Sequence, residues 1–177
     1  MGRSKQLLLI ADKPVIRCCI DTLLVGGIKD IIVVLGPTGR EISEAIDDYS
    51  LEILWNKDPQ SDMAGSVREG LKVLDRKASA VMVFPVDHPL VKVATIRAII
   101  DSHDEHPDRI IIPVHNGRKG HPVIFPRKVI EELFSLYTLR DIVRKDDERL
   151  QLTEVDDEGI LLNMNTPEDF REIKARA

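Results

Sequence analysis

Four short apolar runs punctuate the chain: Ile31-Ile32-Val33-Val34-Leu35, Ile53-Leu54-Trp55, Ala80-Val81-Met82-Val83-Phe84 and Ile110-Ile111-Ile112. Each is too short for a helix and lacks the alternation of a half-solvated strand, which is the pattern of strands covered on both faces in a parallel sheet. In the segments 14–25, 39–47, 64–74 and 93–103 apolar residues recur three or four apart, and the spacing predicts crossover helices. Pro14 suits a first helical turn, Gly26-Gly27 a helix end, and Gly36-Pro37-Thr38-Gly39 a strand-to-helix turn. The order predicts βαβ units and an α/β fold of three layers, helices on both sides of a mostly parallel sheet.

After Pro113 the rhythm changes. A polar turn over 115–120 separates residues 110–112 from Val123-Ile124-Phe125, which predicts a hairpin, a small antiparallel element within the parallel frame. The charged stretch 144–149 reads as a solvated helix end. A last helix is expected over 166–175, with Thr166 as N-cap, Pro167 in the first turn, and Glu168 and Asp169 at the positive end of the helix. No repeat, low-complexity tract or linker interrupts the 177 residues, so one domain spanning 1–177 is expected.

Charge narrows the partners. Thirty acidic against 25 basic residues give a net charge of −5, with no basic excess for a nucleic-acid backbone. Aromatic residues, at 4%, leave few platforms for stacked bases. No apolar stretch is long enough for a bilayer and the first residues lack a secretory pattern, so a cytoplasmic location without nucleic-acid or membrane partners is expected. Cys18 and Cys19 are adjacent inside a helical pattern, where both sulfurs cannot converge on one ion, and read as core residues.

In open parallel sheets ligands bind at the carboxyl ends of strands. Asp87 follows the run 81–86 and precedes His88-Pro89, so its carboxylate should emerge at that edge, either as a hard ligand for magnesium on a triphosphate or as the cap of the next turn. After Ile160-Leu161-Leu162, alternation points Asn163 and Asn165 to one side; Asn165 offers a carbonyl oxygen to the same metal or satisfies backbone groups before the last helix. His121, between Gly120 and Pro122, and Lys5, near the N-terminus, are candidates for contacts to substrate and to phosphate.

In this order the pieces resemble the MobA-like nucleotidyltransferase family, whose best-known members attach GMP or CMP to molybdopterin. Met1-Gly2-Arg3-Ser4-Lys5-Gln6-Leu7-Leu8 with Lys13-Pro14 is similar to part of the family's N-terminal signature, in which a lysine contacts the triphosphate; Lys5 is the matching position. The segment 56–70, with Met63-Ala64-Gly65-Ser66-Val67, resembles the one that meets base and ribose, implying nucleotide contacts from Asn56, Gly65 and Ser66. Val86-Asp87-His88-Pro89-Leu90-Val91 resembles the metal-aspartate motif. The run from Gly117 to Val123 resembles an acceptor-side turn, implying substrate contacts from Gly120 and His121. Asn163-Met164-Asn165-Thr166-Pro167 resembles the closing motif, implying a metal contact from Asn165. The family also opens with an apolar strand and a glycine-rich loop ahead of an Arg-Met-Gly; the sequence here starts at that methionine, and a domain without that strand and loop is expected.

The resemblance implies a nucleotide-diphospho-sugar transferase-like, Rossmann-type fold and a magnesium-dependent transfer of CMP or GMP from CTP or GTP to molybdopterin, with Lys5 and Asp87 as catalytic residues. The segments around Asp87 and His121 look more like the cytidylyl branch, the two asparagines more like the guanylyl branch. Two other readings stand beside it: a non-catalytic nucleotide- or cofactor-binding homologue that partners a molybdoenzyme or its chaperone, and a cytidylyltransferase for a sugar phosphate or another phosphorylated precursor.

Overall fold

The computed structural model describes residues 4–177. After a 3-10 turn at Lys5–Leu7, β1 (Leu9–Ile10) and β2 (Lys13–Pro14) form a tight antiparallel hairpin through Ala11 and Asp12. Both turn residues are left-handed, at φ 44° and 63°, the backbone that matches a two-residue turn to the twist of its strands. The hairpin feeds α1 (Val15–Gly26), which starts one residue after Pro14 and ends where Gly27 turns left-handed at φ 106°. Then come β3 (Ile32–Leu35), α2 (Arg40–Glu44), β4 (Glu52–Trp55), α3 (Met63–Val73), β5 (Ala80–Val83) and α4 (Val93–Glu105). The C-terminal half adds β6 (Ile110–His115), β7 (Arg118–Lys119), β8 (Val123–Pro126), α5 (Arg127–Ile130), α6 (Leu139–Arg144), β9 (Leu150–Glu154) and α7 (Pro167–Arg176).

Strands β3 and β4 pair in parallel, with Ile32 opposite Glu52 and Leu35 opposite Trp55. A second sheet runs β5-β8-β6-β7, all antiparallel, and β9 adds to β6 in parallel. The hairpin expected between 110–112 and 123–125 is present as β6 and β8, with β7 in its turn. The antiparallel share is larger than a small excursion, because β5 takes β8 as its neighbour instead of a parallel strand. Among the described residues no backbone pairing joins β3 to β5. Helix α1 packs against the second half instead: its Cys19 lies 3.6 Å, sulfur to oxygen, from the Val86 carbonyl, and its Gly26 packs so tightly on Ile96 of α4 that a β-carbon there would collide.

Three layers result because successive residues of β6 face opposite sides. Ile111 joins Ile124 and Ile99 under α4, while Ile110 and Ile112 join Phe125, Leu71, Ile130 and Ile142 under α3, α5 and α6. That double coverage is why 110–112 reads as an uninterrupted apolar run. The last helix begins as expected: the Thr166 hydroxyl accepts from the Asp169 N–H (3.1 Å), and the Asp169 carboxylate accepts from the Thr166 N–H (2.7 Å). Of the stretch 144–149, Lys145 and Arg149 both pair with Glu132. No helix among the described residues is long and apolar enough to cross a membrane.

Candidate functional site

Three of the residues singled out from sequence meet at one point. The Met164 N–H donates to the Asp87 carbonyl oxygen at 2.9 Å, which clips the segment before α7 to the turn after β5 and sets Asn165 beside Asp87. Asn165 is held in turn by its N–H, which donates to Asp169 at 3.0 Å. Lys5, delivered by the first 3-10 turn, places Nζ 3.4 Å from Asp87 Oδ2 and 3.1 Å from Asn165 Oδ1. The Asp87 side chain is 20% exposed, shielded enough for its charge to act more strongly than in bulk water yet open to a ligand.

Two oxygens from distant segments thus converge on one cation. Hard oxygen donors of this kind suit a divalent ion such as magnesium, which takes one or two protein oxygens and completes its shell with phosphate oxygens and water. Among the described residues no group of three or more His, Cys, Asp or Glu could hold a metal by itself. The residues fit an ion that arrives with phosphate, and do not fit a metal held by protein alone.

Behind Asp87 sits a residue that sequence reasoning passed over. His88 is buried, its Nε2 3.8 Å from Asp87 Oδ1, and its ring stands 5.0 Å from that of His121. The Nδ1 atoms of both rings are buried without a hydrogen-bond partner. Burial pushes both imidazoles below their ordinary value; Asp87 opposes this at His88, and His88 adds to it at His121. At neutral pH the pair is uncharged, so Asp87 meets neutral dipoles there. The dipeptide His88-Pro89 straight after the aspartate was the available signal.

His121 is set by its neighbours. Gly120 donates its N–H to the Pro113 carbonyl at 2.9 Å, His121 donates to the Ile160 carbonyl at 3.0 Å, and the His121-Pro122 peptide is cis. A β-carbon at Gly120 would lie 2.5 Å from the Ile160 oxygen, so the approach of these segments requires glycine. Gly120 therefore acts through its missing side chain, while His121 presents its ring beside the Asp87 centre.

Asn56, Gly65 and Ser66 form a separate group at the end of β4. Asn56 is buried and its amide is already engaged: Nδ2 donates to Ser61 Oγ (2.7 Å), and Oδ1 accepts from the Asp58 N–H (3.1 Å). A β-carbon at Gly65 would collide with the same Ser61 hydroxyl. The Gly65 and Ser66 N–H groups reach Asp62, at 2.8 and 3.1 Å, in the first turn of α3. Both ends of the Asn56 amide thus brace this loop. Among the described residues the group shares no hydrogen bond or ion pair with Lys5, Asp87 or Asn165. Met1, Gly2 and Arg3 of the N-terminal motif lie outside the described residues.

Known proteins share this architecture. The crystal structure of Rv0371C from Mycobacterium tuberculosis H37Rv, a complex with manganese, superposes with a TM-score of 0.82 at 26% identity, covering 98% of this chain and 93% of that one. The molybdenum cofactor cytidylyltransferase of Escherichia coli K12 is 25% identical over 150 residues, 82% of this chain and 74% of its own. The bifunctional enzyme IspD/IspF of Ruegeria pomeroyi is 35% identical over 107 residues; they make up 60% of this chain but only 28% of that relative's length. The model of the MobA-like NTP transferase domain matches residues 1–151, and the chain belongs to that family.

Proposed function

We propose that this protein is a magnesium-dependent nucleotidyltransferase that moves CMP from CTP, or GMP from GTP, to the phosphate of molybdopterin. Pyrophosphate is the other product. The observation that carries the reading is the convergence of Asp87 Oδ2 and Asn165 Oδ1 on the Lys5 ammonium, at 3.4 and 3.1 Å. The molybdenum cofactor cytidylyltransferase among its relatives supports both acceptor and nucleotide, and the manganese complex among its structural neighbours supports a divalent ion.

An oxygen of the acceptor phosphate attacks the α-phosphorus, the bond from that phosphorus to the bridging oxygen breaks, and the bridging electron pair leaves with pyrophosphate. The attacking phosphate is already ionised at neutral pH, so no side chain has to remove a proton, and the neutral His88–His121 pair is consistent with that. Catalysis then rests on alignment and on neutralising charge. Lys5 places a cation where the triphosphate gathers negative charge, and a charge-assisted contact there strengthens as the leaving group departs. Asp87 and Asn165 would hold the magnesium ion, which supplies further neutralisation of the phosphate oxygens when bound. Asp169 keeps the Asn165 backbone, and with it the amide, in place.

The test is pyrophosphate release from CTP and from GTP with magnesium and molybdopterin, for the native sequence and for Asp87→Ala. The expected result is magnesium-dependent release that falls by about 10²–10³ in the variant, the loss typical of removing one preorganised charge-stabilising group. Equal release by both proteins, or none from either nucleotide by a folded native protein, would overturn the reading.

A further inference from the structure

Two segments supply the Asp87 centre, 87–92 from the end of β5 and 157–165 ahead of α7, and they are fastened to each other at both ends. At the ligand end the Met164 N–H donates to the Asp87 carbonyl at 2.9 Å. At the far end stands the buried Asp157. Its Oδ2 accepts from the Lys92 N–H at 2.7 Å and from the Thr95 hydroxyl at 2.6 Å, and its Oδ1 accepts from the Gly159 N–H at 2.9 Å. This one carboxylate therefore spans from the start of α4 to the 3-10 turn at Glu158–Ile160, with its charge at the positive end of the helix. Between the two fastenings the segments touch: Gly159 has no room for a β-carbon beside the Leu90 carbonyl, and Ile160 shares a core cluster with Val91 and Ile96. The same turn reaches the third arm of the site, because the Ile160 carbonyl accepts from the His121 N–H at 3.0 Å.

We infer that Asp157 is a positioning residue for the Asp87 centre: by way of the backbone it fixes the spacing of Asp87 from Asn165 and the seat of His121. With this brace cut, the Met164–Asp87 hydrogen bond becomes a hinge about which Asn165 swings. A metal that takes one oxygen from each segment then loses its fixed pair of donors, and a misplacement of about 1 Å costs about 100-fold in rate where alignment carries the catalysis. This role rests on the reading of Asp87 and Asn165 as the metal and nucleotide site. The informative variant is Asp157→Asn, which keeps the size of the side chain and one acceptor oxygen. Whichever way its amide is turned, the NH2 group faces a backbone N–H, of Lys92 or of Gly159, and one side of the brace is lost.

The test is manganese binding in the presence of CTP, followed by the paramagnetic resonance signal of the free ion, at a temperature where circular dichroism shows every variant folded. Asp157→Asn is expected to weaken manganese binding by about 10–100-fold, the usual effect of removing a partner that orients metal ligands from behind. Thr95→Val, which removes one donor to the same oxygen, is expected to weaken it less, and Thr95→Ser, which keeps the hydroxyl, to bind as the native protein does. Leu133→Ala opens a hole in the core under α3, α5 and α6; it measures the effect of lost stability alone and is expected to leave the affinity unchanged. Native affinity in Asp157→Asn, or an equal loss in Leu133→Ala, would overturn the role of Asp157 while leaving the Asp87 centre in place. No manganese binding by the folded native protein would overturn the reading of the centre itself, and this role with it.

Discussion

Replacing Asp157 with alanine is expected to destabilise the fold severely, although this residue touches neither Lys5 nor Asp87. The Asp157 side chain is 1% exposed and accepts three hydrogen bonds: from the Lys92 N–H at 2.7 Å, the Thr95 hydroxyl at 2.6 Å and the Gly159 N–H at 2.9 Å. Two of those donors lie at the start of α4, where the helix has no partner of its own to offer, and the third fixes the 3-10 turn at Glu158–Ile160. Alanine leaves all three without an acceptor. Each unmet buried donor costs about 1–3 kcal/mol, so the loss should be about 3–6 kcal/mol after partial relaxation. For a chain of this length that lowers the melting temperature by about 6–24 °C. The variant Asp157→Asn keeps one acceptor oxygen and should lose roughly half as much. Thermal unfolding followed by circular dichroism measures both. A fall of under about 2 °C in the alanine variant, the range of ordinary surface substitutions, would refute the claim that this carboxylate ties α4 to the turn.

Three further outcomes are expected. Gly120→Ala puts a β-carbon against the Ile160 carbonyl and side chain; it should cost about 1–3 kcal/mol in urea unfolding and shift the His121 ring resonances, and an unchanged midpoint would contradict the close approach. Burial raises the Cys19 thiol to about 12, while Cys18 is raised less and is partly exposed; a thiol reagent at pH 8 should modify one cysteine quickly and the other only as the protein unfolds, and two equal rates would count against this. Glu132 is held below its ordinary value, first by Arg149 and then by Lys145. Because its folded value is depressed, its contribution is present above the unfolded value near 4.5 and is lost as pH falls through the folded value. Glu132→Gln should therefore be less stable than the native protein at pH 7 and converge with it as pH falls through that depressed value, and a gap that persists in acid would show another cause.

How much of this was legible in the sequence follows from where the decisive forces are local. The capping box at Thr166 and Asp169, the start of α1 after Pro14 and the apolar runs of β3, β5 and β6 depend on neighbours within a few residues, and all of them could be read directly. The pairing of β5 with β8 could not, because residues 80–84 look the same whether the adjoining strand runs parallel or antiparallel. Strand β9 was missed for a related reason. Leu150-Gln151-Leu152-Thr153-Glu154 alternates apolar and polar residues beside a highly charged stretch, and only its register against Ile110–His115 identifies it as part of the sheet. Asp157 lies within a run of three acidic residues that reads as solvated surface, and nothing local distinguishes the one carboxylate that turns inward.

The site divides along the same line. Asp87 announces itself through its position after an apolar strand, and Asn165 through alternation before a strong helix start, but their meeting depends on one backbone hydrogen bond from Met164 to Asp87 that joins residues far apart in sequence. Lys5 carries no local signal at all; it gains meaning only from the family pattern and then from two distances to oxygen. Asn56 shows the opposite relation, since the motif marks it as a contact and the structure commits both ends of its amide to its own loop. A residue in a recognised motif can therefore shape the backbone of its own loop. At Gly65 and Gly120 the neighbouring segments come so close that a single added carbon would meet the Ser61 hydroxyl or the Ile160 carbonyl.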